Sequence, residues 1–221
     1  MEKKTLDKII QYLIVNTSYC ESLGLFHGKM GVVLFFAHYA RLTKNDLYDD
    51  FAGEILNEIL DKIHVNLPID LEYGYCGIGW GIEYLLRHHF LEGDDDILSE
   101  IDSKIMERDP IRINDLSLKN GLTGILLYVL TRCTNCSPSN LFDRAYLDAL
   151  EKRVRDIDIN LPYWNDKSVI CDILKGKYQN KLNLEIPKLF YGKLPKNIDN
   201  IQSMPLGIEN GLSGIGLCAI L

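Results

Sequence analysis

Four times along this 221-residue chain, a glycine-containing turn leads directly into a run of apolar residues. The four segments are residues 25–32, 75–82, 119–125 and 209–215. Their last glycines are Gly31, Gly81, Gly124 and Gly214, at intervals of 50, 43 and 90 residues. Since the last interval is close to two units of about 45 residues, the spacing predicts a supersecondary unit that repeats along the chain.

Apolar residues recur three and four positions apart in the long windows, a pattern typical of helices rather than strands. We predict helices that are apolar on all sides at 29–41, 80–90, 122–132 and 212–221, and amphipathic helices at 5–15, 46–63, 96–107 and 140–154. A helix that is apolar all round must be buried, whereas an amphipathic helix keeps one face in water. The alternation predicts an all-α fold with an inner ring of helices inside an outer ring. The inner helices are expected to start near Gly28, Gly79, Gly121 and Gly211, where glycine allows positive backbone angles and close approach of neighbouring chain.

Residues 155–206 interrupt this pattern and contain four of the seven prolines. We predict one helix near 166–176 and another near 180–190, followed by a long loop over 191–207. The first of these helices falls about one period after Gly124. It is interpreted as a degenerate repeat whose glycine turn is replaced by Tyr163-Trp-Asn-Asp166.

Charge and hydropathy exclude several classes of partner. The net charge is −7 and no run of Lys or Arg occurs, so we expect neither nucleic acid nor an anionic membrane as a partner. No segment reaches the ~20 apolar residues of a membrane span, and the N-terminus lacks the apolar core of a signal peptide. The six cysteines are interpreted mainly as buried thiols, which predicts a cytoplasmic protein.

The turns Gly24-Leu-Phe-His-Gly-Lys-Met-Gly31, Asn120-Gly-Leu-Thr-Gly-Ile125 and Asn210-Gly-Leu-Ser-Gly-Ile215 resemble the inner-helix signatures of the lanthionine synthetase C-like (LanC-like) family. The resemblance spans nearly the whole chain and implies one domain over residues 1–221. It implies an α/α toroid of repeated helix pairs. The chain has room for fewer pairs than the family's full ring, so we expect a shortened or incomplete ring. Apolar surface left open by such a ring would favour a homodimer.

The resemblance also implies a chemistry. The family's cyclases bind zinc and add cysteine thiols of a precursor peptide to dehydrated Ser or Thr residues, with zinc stabilising the thiolate. Their zinc ligands are a Cys in a W-C-x-G-x-x-G-like turn and a Cys-His pair in a C-H-G-x-x-G turn of the next repeat. Cys76, five residues before Gly81, is the candidate for the first metal ligand, but Lys119 and Asn120 stand where the pair is required. We therefore expect the zinc site to be incomplete and zinc to be absent, with bound zinc as the alternative.

His27 precedes Gly28 as the family's histidine precedes its glycine, which makes it the candidate catalytic residue for proton transfer. His27 and Cys76 belong to consecutive helix starts and are expected to be able to approach one another. The alternative is that Cys76 is a buried thiol and that His27 caps or hydrogen-bonds a turn.

Other charged residues near the turns have simpler interpretations. Glu83 lies inside a helix predicted to be buried, and Arg87 four residues later is the expected partner for its carboxylate. Glu72, Glu209 and Asp115 flank the turns and are predicted to form an acidic rim at one end of the ring.

We expect a peptide or small molecule to bind where the turns meet, at Trp80, Lys119, Asn120 and Asn210. Helix N-termini offer N–H donors there, and Trp80 offers a large flat surface. The alternative is that Trp80 belongs to the core and that the asparagines cap helices. Three functions remain open: a divergent LanC-like enzyme, a non-catalytic peptide-binding or scaffold protein of a peptide-modification pathway, and a carbohydrate-active α/α toroid. A pair of acidic residues in an aromatic cleft, typical of the last class, does not stand out.

Overall fold

The computed structural model describes residues 3–63, 66–93, 95–158, 161–164, 166–178, 184–186 and 200–221. Within these ranges the regular structure is helical and contains no strand, so the predicted all-α class is confirmed. The α-helices are α1 (Lys3–Asn16), α2 (Lys29–Thr43), α3 (Asp46–Asp61), α4 (Tyr75–Arg87), α5 (Ser99–Met106), α6 (Leu122–Cys133), α7 (Pro138–Leu141), α8 (Arg144–Asp156), α9 (Lys167–Leu174) and α10 (Leu212–Ile220). The helix predicted near 180–190, apart from residues 184–186, and residues 191–199 of the loop predicted over 191–207 lie outside the described residues. Among the helices described, none is both long enough and apolar enough to cross a bilayer.

The chain forms two compact units, each with its own helices. Unit 1 consists of Met1–Leu67, Glu72–Gly74 and Phe190–Leu221, and unit 2 of Pro68–Leu71 and Tyr75–Leu189. The single domain over residues 1–221 stays a prediction.

Unit 1 is built around α2, whose residues Lys29–Ala37 are all buried. This helix packs against both α3 and α10, and α1 also packs against α10. The amphipathic α3 buries one stripe of side chains, those of Ala52, Ile55, Leu56 and Ile59. A largely apolar helix is therefore covered by an amphipathic one, as the sequence pattern predicts.

Unit 2 is built around α6, in which every residue from Leu122 to Cys133 is buried. This helix packs against α4 and α9, while α8 packs against α9 and α5 against α4. The alternation of buried and amphipathic helices thus continues through the second unit.

The repeat is visible in the places where the helices begin. The helices that follow the turns start at Lys29, Tyr75, Leu122, Lys167 and Leu212, so successive starts are 45 to 47 residues apart. The predicted repeat is confirmed. The repeat also includes the predicted degenerate unit, because α9 starts 45 residues after α6. This helix follows directly on Asp166, whose side chain accepts the N–H of Ser168.

One main-chain hydrogen bond defines the register of the repeat. The N–H of the first helical residue donates to the carbonyl seven residues earlier, from Lys29 to Ser22, Tyr75 to Pro68, Leu122 to Asp115 and Leu212 to Pro205, each at 2.9 Å. The second turn is therefore Gly74-Tyr-Cys-Gly77 and not the segment ending at Gly81. The prediction that α4 starts near Gly79 was wrong, and the last glycines of the four turns are Gly31, Gly77, Gly124 and Gly214.

The glycines that precede these helices do not have positive φ angles, contrary to the expectation. The φ angles of Gly28, Gly121 and Gly211 are −123°, −116° and −115°, in the extended region that any residue adopts. Glycine is needed at the position before the helix because there is no room for a side chain. A Cβ on Gly28 would lie 2.5 Å from the carbonyl oxygen of Ser22, in the turn that the chain has just left.

Candidate functional site

Each glycine turn presents two residues directly before its first glycine, which we call the turn pair. The turn pairs are Phe26-His27, Glu72-Tyr73, Lys119-Asn120 and Glu209-Asn210. Main-chain hydrogen bonds define the register of each turn, and these bonds do not involve the side chains of the turn pair. The turns therefore remain equivalent although the side chains of the turn pairs differ widely in chemistry.

Three turn pairs of unit 1 contribute to one cluster of polar side chains, which we call the His27 cluster. Nε2 of His27 lies 2.9 Å from Oε1 of Glu72 and 3.3 Å from Oε2 of Glu209. One possible ligand atom from each of the three residues lies within 4.8 Å of the other two. The exposed fractions of the side chains are 26% for His27, 11% for Glu72 and 26% for Glu209, so the cluster is open to solvent on one side.

Main-chain contacts of Phe26 bring the three turns together. The N–H of Phe26 donates to the carbonyl of Glu72 at 3.2 Å, and the carbonyl of Phe26 accepts the N–H of Glu209 at 2.9 Å. Two glycines permit this approach. A Cβ on Gly24 would lie 2.5 Å from Cα of Tyr73, and one on Gly207 would lie 2.6 Å from Cα of His27. The positions of the three side chains are thus determined by backbone packing.

The sequence placed Glu72 and Glu209 beside turns but did not predict that both reach His27. The missing signal was the main-chain pairing through Phe26, which joins segments far apart in the chain. The third residue of the predicted rim, Asp115, lies in unit 2 and accepts the N–H of Ser117 at 2.7 Å. This hydrogen bond lowers the pKa of Asp115 and gives the carboxylate a role within its own turn.

Cys76, the predicted metal ligand, is completely buried inside α4. Burial raises the pKa of its thiol well above the ordinary value, and the negative charges of Asp70 and Asp102 raise it further. Since the thiolate is the form that binds zinc, these surroundings oppose metal binding by Cys76. Its predicted approach to His27 stays a prediction, since the two residues belong to different units.

Trp80, the predicted flat surface for a ligand, is also completely buried. Its ring stacks on that of Tyr84 with centroids 5.5 Å apart, and within the described structure its Nε1 has no hydrogen-bond partner. The expectation of a Trp80 side chain open to solvent is therefore corrected. Four glycines in α4 and the turn before it obscured the start of the helix, and with it the direction of this side chain.

The remaining predicted ligand-binding residues lie in turns. Lys119 is half-buried, and its carbonyl accepts the N–H of Leu71 at 2.9 Å. Asn120 and Asn210 are exposed. Asn210 has a φ angle of 50°, a left-handed conformation that asparagine tolerates better than most residues, so its presence has a backbone explanation as well. A role of these three residues in binding stays a prediction.

A buried ionic network crosses unit 2. The predicted pair between Glu83 and Arg87 is confirmed, with Oε1 and Nε 2.8 Å apart. The sequence did not indicate that Arg132 belongs to this network. Arg132 is fully buried, with Nη1 3.0 Å from Oε2 of Glu83 and Nη2 2.8 Å from Oδ2 of Asp102. The hydroxyl of Tyr128 donates to Asp102 at 2.6 Å. Because these groups are closed to solvent and satisfied by one another, their role is structural.

The comparison with known protein families identifies the relatives of this architecture. A model of the lanthionine synthetase C-like protein family matches residues 19–168, well over half of the chain. The chain belongs to the lanthionine synthetase C-like family. The match includes the first three glycine turns, so the LanC-like resemblance is confirmed. The chain matches no curated protein and no solved structure.

The LanC-like register allows the family's zinc ligands to be tested against this chain. The first ligand of the family lies two residues before the first glycine of its turn, and the structure places Glu72, not Cys76, at that position. The next turn presents Lys119 and Asn120 in place of the Cys-His pair. These three residues supply no thiolate, and one of them is a cation. The residues of this LanC-like chain therefore do not fit the cysteine-liganded zinc centre of the family.

Proposed function

We propose that this LanC-like protein binds a peptide without catalysing thiol addition at a cysteine-liganded zinc. The observation that carries the proposal is the identity of the turn pairs, since Glu72, Lys119 and Asn120 occupy the family's ligand positions. Zinc activates a substrate thiol by stabilising its thiolate, and that requires three protein ligands that hold the ion and leave one coordination position open for the thiol. The relation to peptide-modifying cyclases supports a peptide as the bound molecule.

The turn pairs also offer groups suited to holding a peptide. Tyr73 is 43% exposed beside the His27 ring, with centroids 5.3 Å apart, and its amphipathic ring suits a contact surface. Asn210 and Asn120 carry amides that pair with a peptide backbone as donor and acceptor together. Lys119 adds a cationic group in unit 2.

The experiment uses a fluorescently labelled precursor peptide that contains one cysteine and one dehydrated serine. Binding is measured by fluorescence anisotropy, and thiol consumption by alkylation and mass spectrometry, with added zinc and with EDTA. We expect saturable binding and an unchanged thiol in both conditions. Zinc-dependent loss of the thiol would contradict the proposal, and so would the absence of binding.

Three variants test separately which turn pairs contact the peptide. We expect Tyr73→Ala and Lys119→Ala each to weaken binding about tenfold, the loss of one contact. Asn210→Gly removes the amide while keeping the left-handed backbone, so its effect reports the side chain alone. The matched control is Tyr19→Ala, which removes an 81% exposed tyrosine of unit 1 outside the turn pairs and should leave binding unchanged.

A second candidate function is cyclisation with His27 as the residue that transfers the proton. Its support is the half-buried position of His27 between two carboxylates, together with membership of a family that includes cyclases. In the same assay, this function predicts thiol loss in the wild-type protein that persists in EDTA and disappears in His27→Asn.

A further inference from the structure

We propose that the His27 cluster binds a first-row divalent metal ion through Nε2 of His27 and one carboxylate oxygen each from Glu72 and Glu209. Imidazole nitrogen and carboxylate oxygen bind such ions at about 2.0–2.2 Å, so two ligand atoms of one ion lie about 3–4 Å apart. The two distances from Nε2 are 2.9 and 3.3 Å, and all three ligand atoms lie within 4.8 Å of one another. Shifts of about 1 Å in the side chains would admit the ion.

The charges and the geometry of the three groups suit a divalent ion. A proton on Nε2 can be donated well to only one acceptor, and the two distances show that Glu72 is the nearer one. An ion bound to Nε2 contacts both carboxylates at once. Its charge of +2 then balances two carboxylates while the imidazole remains neutral, the form in which histidine binds metals.

The backbone holds the ligands close before any ion arrives. Phe26 is hydrogen-bonded to Glu72 and to Glu209 through its own N–H and carbonyl, so the three ligand-bearing turns are joined by main-chain bonds. The close approaches at Gly24 and Gly207 show that the backbones of these turns are in direct contact. A preformed set of ligands reduces the ordering that metal binding otherwise requires.

The donor types indicate the class of metal. One imidazole and two carboxylates suit Mn²⁺, Fe²⁺, Co²⁺ or Zn²⁺. The set lacks the thiolates that select Cu⁺ and the six to eight oxygens that Ca²⁺ prefers. The exposed side of His27 and Glu209 leaves room for water or a ligand in the remaining coordination positions. This site differs in ligand type from the cysteine-rich zinc centre of the family, and it does not depend on the peptide-binding proposal.

The test measures metal binding to the whole protein after treatment with EDTA and removal of the chelator. Zn²⁺ and Mn²⁺ are titrated by calorimetry at pH 7, and Co²⁺ by visible absorption, which reports the ligand types. We expect one ion per chain and a cobalt spectrum without thiolate charge-transfer bands. His27→Ala, Glu72→Gln and Glu209→Gln should each weaken binding by ~100-fold or more, since each removes a direct ligand or replaces a carboxylate by a neutral amide that binds the ion more weakly.

Two control variants should bind the ions like the wild-type protein. Glu54→Gln removes an exposed carboxylate of α3, and Cys76→Ala removes the thiol once predicted to bind zinc. Equal affinity in the wild-type protein and the three cluster variants would overturn the proposal, as would a loss of binding confined to Cys76→Ala or no binding to the wild-type protein. Circular dichroism checks the fold of each variant, and Glu209→Gln, at a 26% exposed side chain, is the variant least expected to disturb it. Peptide binding is measured in EDTA, where no metal ion is bound. A negative result for metal binding therefore leaves the peptide-binding proposal standing, and the reverse also holds.

Discussion

At the scale of single residues, unit 1 contains a buried lysine whose charge needs a partner. Lys29 begins α2 directly after the His27 turn, and only 1% of its side chain is exposed. A buried ammonium group is tolerated when it is paired, and Nζ of Lys29 lies 2.5 Å from Oε1 of Glu58. The same oxygen lies 2.6 Å from Nζ of Lys62. Hydrogen bonds from Lys29 and then Lys62 lower the pKa of Glu58 below its ordinary value.

We predict that Glu58→Gln lowers the free energy of unfolding at pH 7 by about 1–2 kcal/mol, because Lys29 loses its charged partner. The loss is limited to this range because Glu58 is 37% exposed and solvent screens the pair. Since the pKa of Glu58 is lower in the folded state, its contribution is present above the unfolded pKa near 4.5. It is lost as the pH falls through the folded value.

The free energy of unfolding of the Glu58→Gln variant should therefore depend less on pH than that of the wild-type protein. Urea denaturation of both proteins between pH 3 and pH 7 measures this difference. Glu54→Gln, on the exposed face of the same helix, is the matched control and should change stability by less than about 0.5 kcal/mol. Equal losses in the two variants would show that the bond to Lys29 contributes nothing specific.

At the scale of elements, the sequence predicted the helices well but misplaced one helix start. Apolar spacing identified α2, α3 and α6 because their buried faces follow the helical period. The start of α4 was misplaced because Gly74, Gly77, Gly79 and Gly81 offer more than one possible turn. The hydrogen bond from Tyr75 to the carbonyl of Pro68 selects among them, and no local propensity indicates that bond.

The second glycine of each turn permits a close contact whose cost can be measured. A Cβ on Gly124 would collide with the carbonyl oxygen of Leu118, and one on Gly214 with that of Ile208. Neither glycine has a positive φ angle, so the effect of a substitution is steric. We predict that Gly124→Ala and Gly214→Ala each lower the free energy of unfolding by about 1–3 kcal/mol in chemical denaturation.

Gly53 is the matched control for these two substitutions. It lies inside α3, and an added Cβ would meet no atom within 4 Å. Gly53→Ala should therefore stabilise the protein by about 0.5–1 kcal/mol, the gain expected for alanine in a helix interior. The steric explanation is wrong if the turn variants match this control.

At the scale of the whole molecule, the sequence predicted the helical class and the repeat because both follow from periodic patterns. The His27 cluster was not predictable in the same way. Glu72 and Glu209 are each ordinary acidic residues beside a turn, and only the long-range bonds of Phe26 bring them to one nitrogen. The homodimer and the closed or open ring stay predictions, as does the single domain.

The single domain makes a prediction about cooperativity. Both tryptophans of the chain, Trp80 and Trp164, lie in unit 2 and are buried, so their fluorescence reports the unfolding of that unit. Far-ultraviolet circular dichroism reports the helices of both units. If residues 1–221 form one cooperative domain, the two signals should give the same midpoint in a urea titration. Separate midpoints would show that the units unfold independently.

The main-chain bond from each helix start to the carbonyl seven residues earlier has a consequence for protein engineering. Such a bond persists through changes of side chain, which makes the turn pairs natural positions for grafting new chemistry. Lys119→Cys combined with Asn120→His would install in the third turn the Cys-His pair that the family's zinc-binding cyclases carry. In each repeat the helix start is held by the backbone, while the two side chains of the turn pair determine the chemistry of that turn.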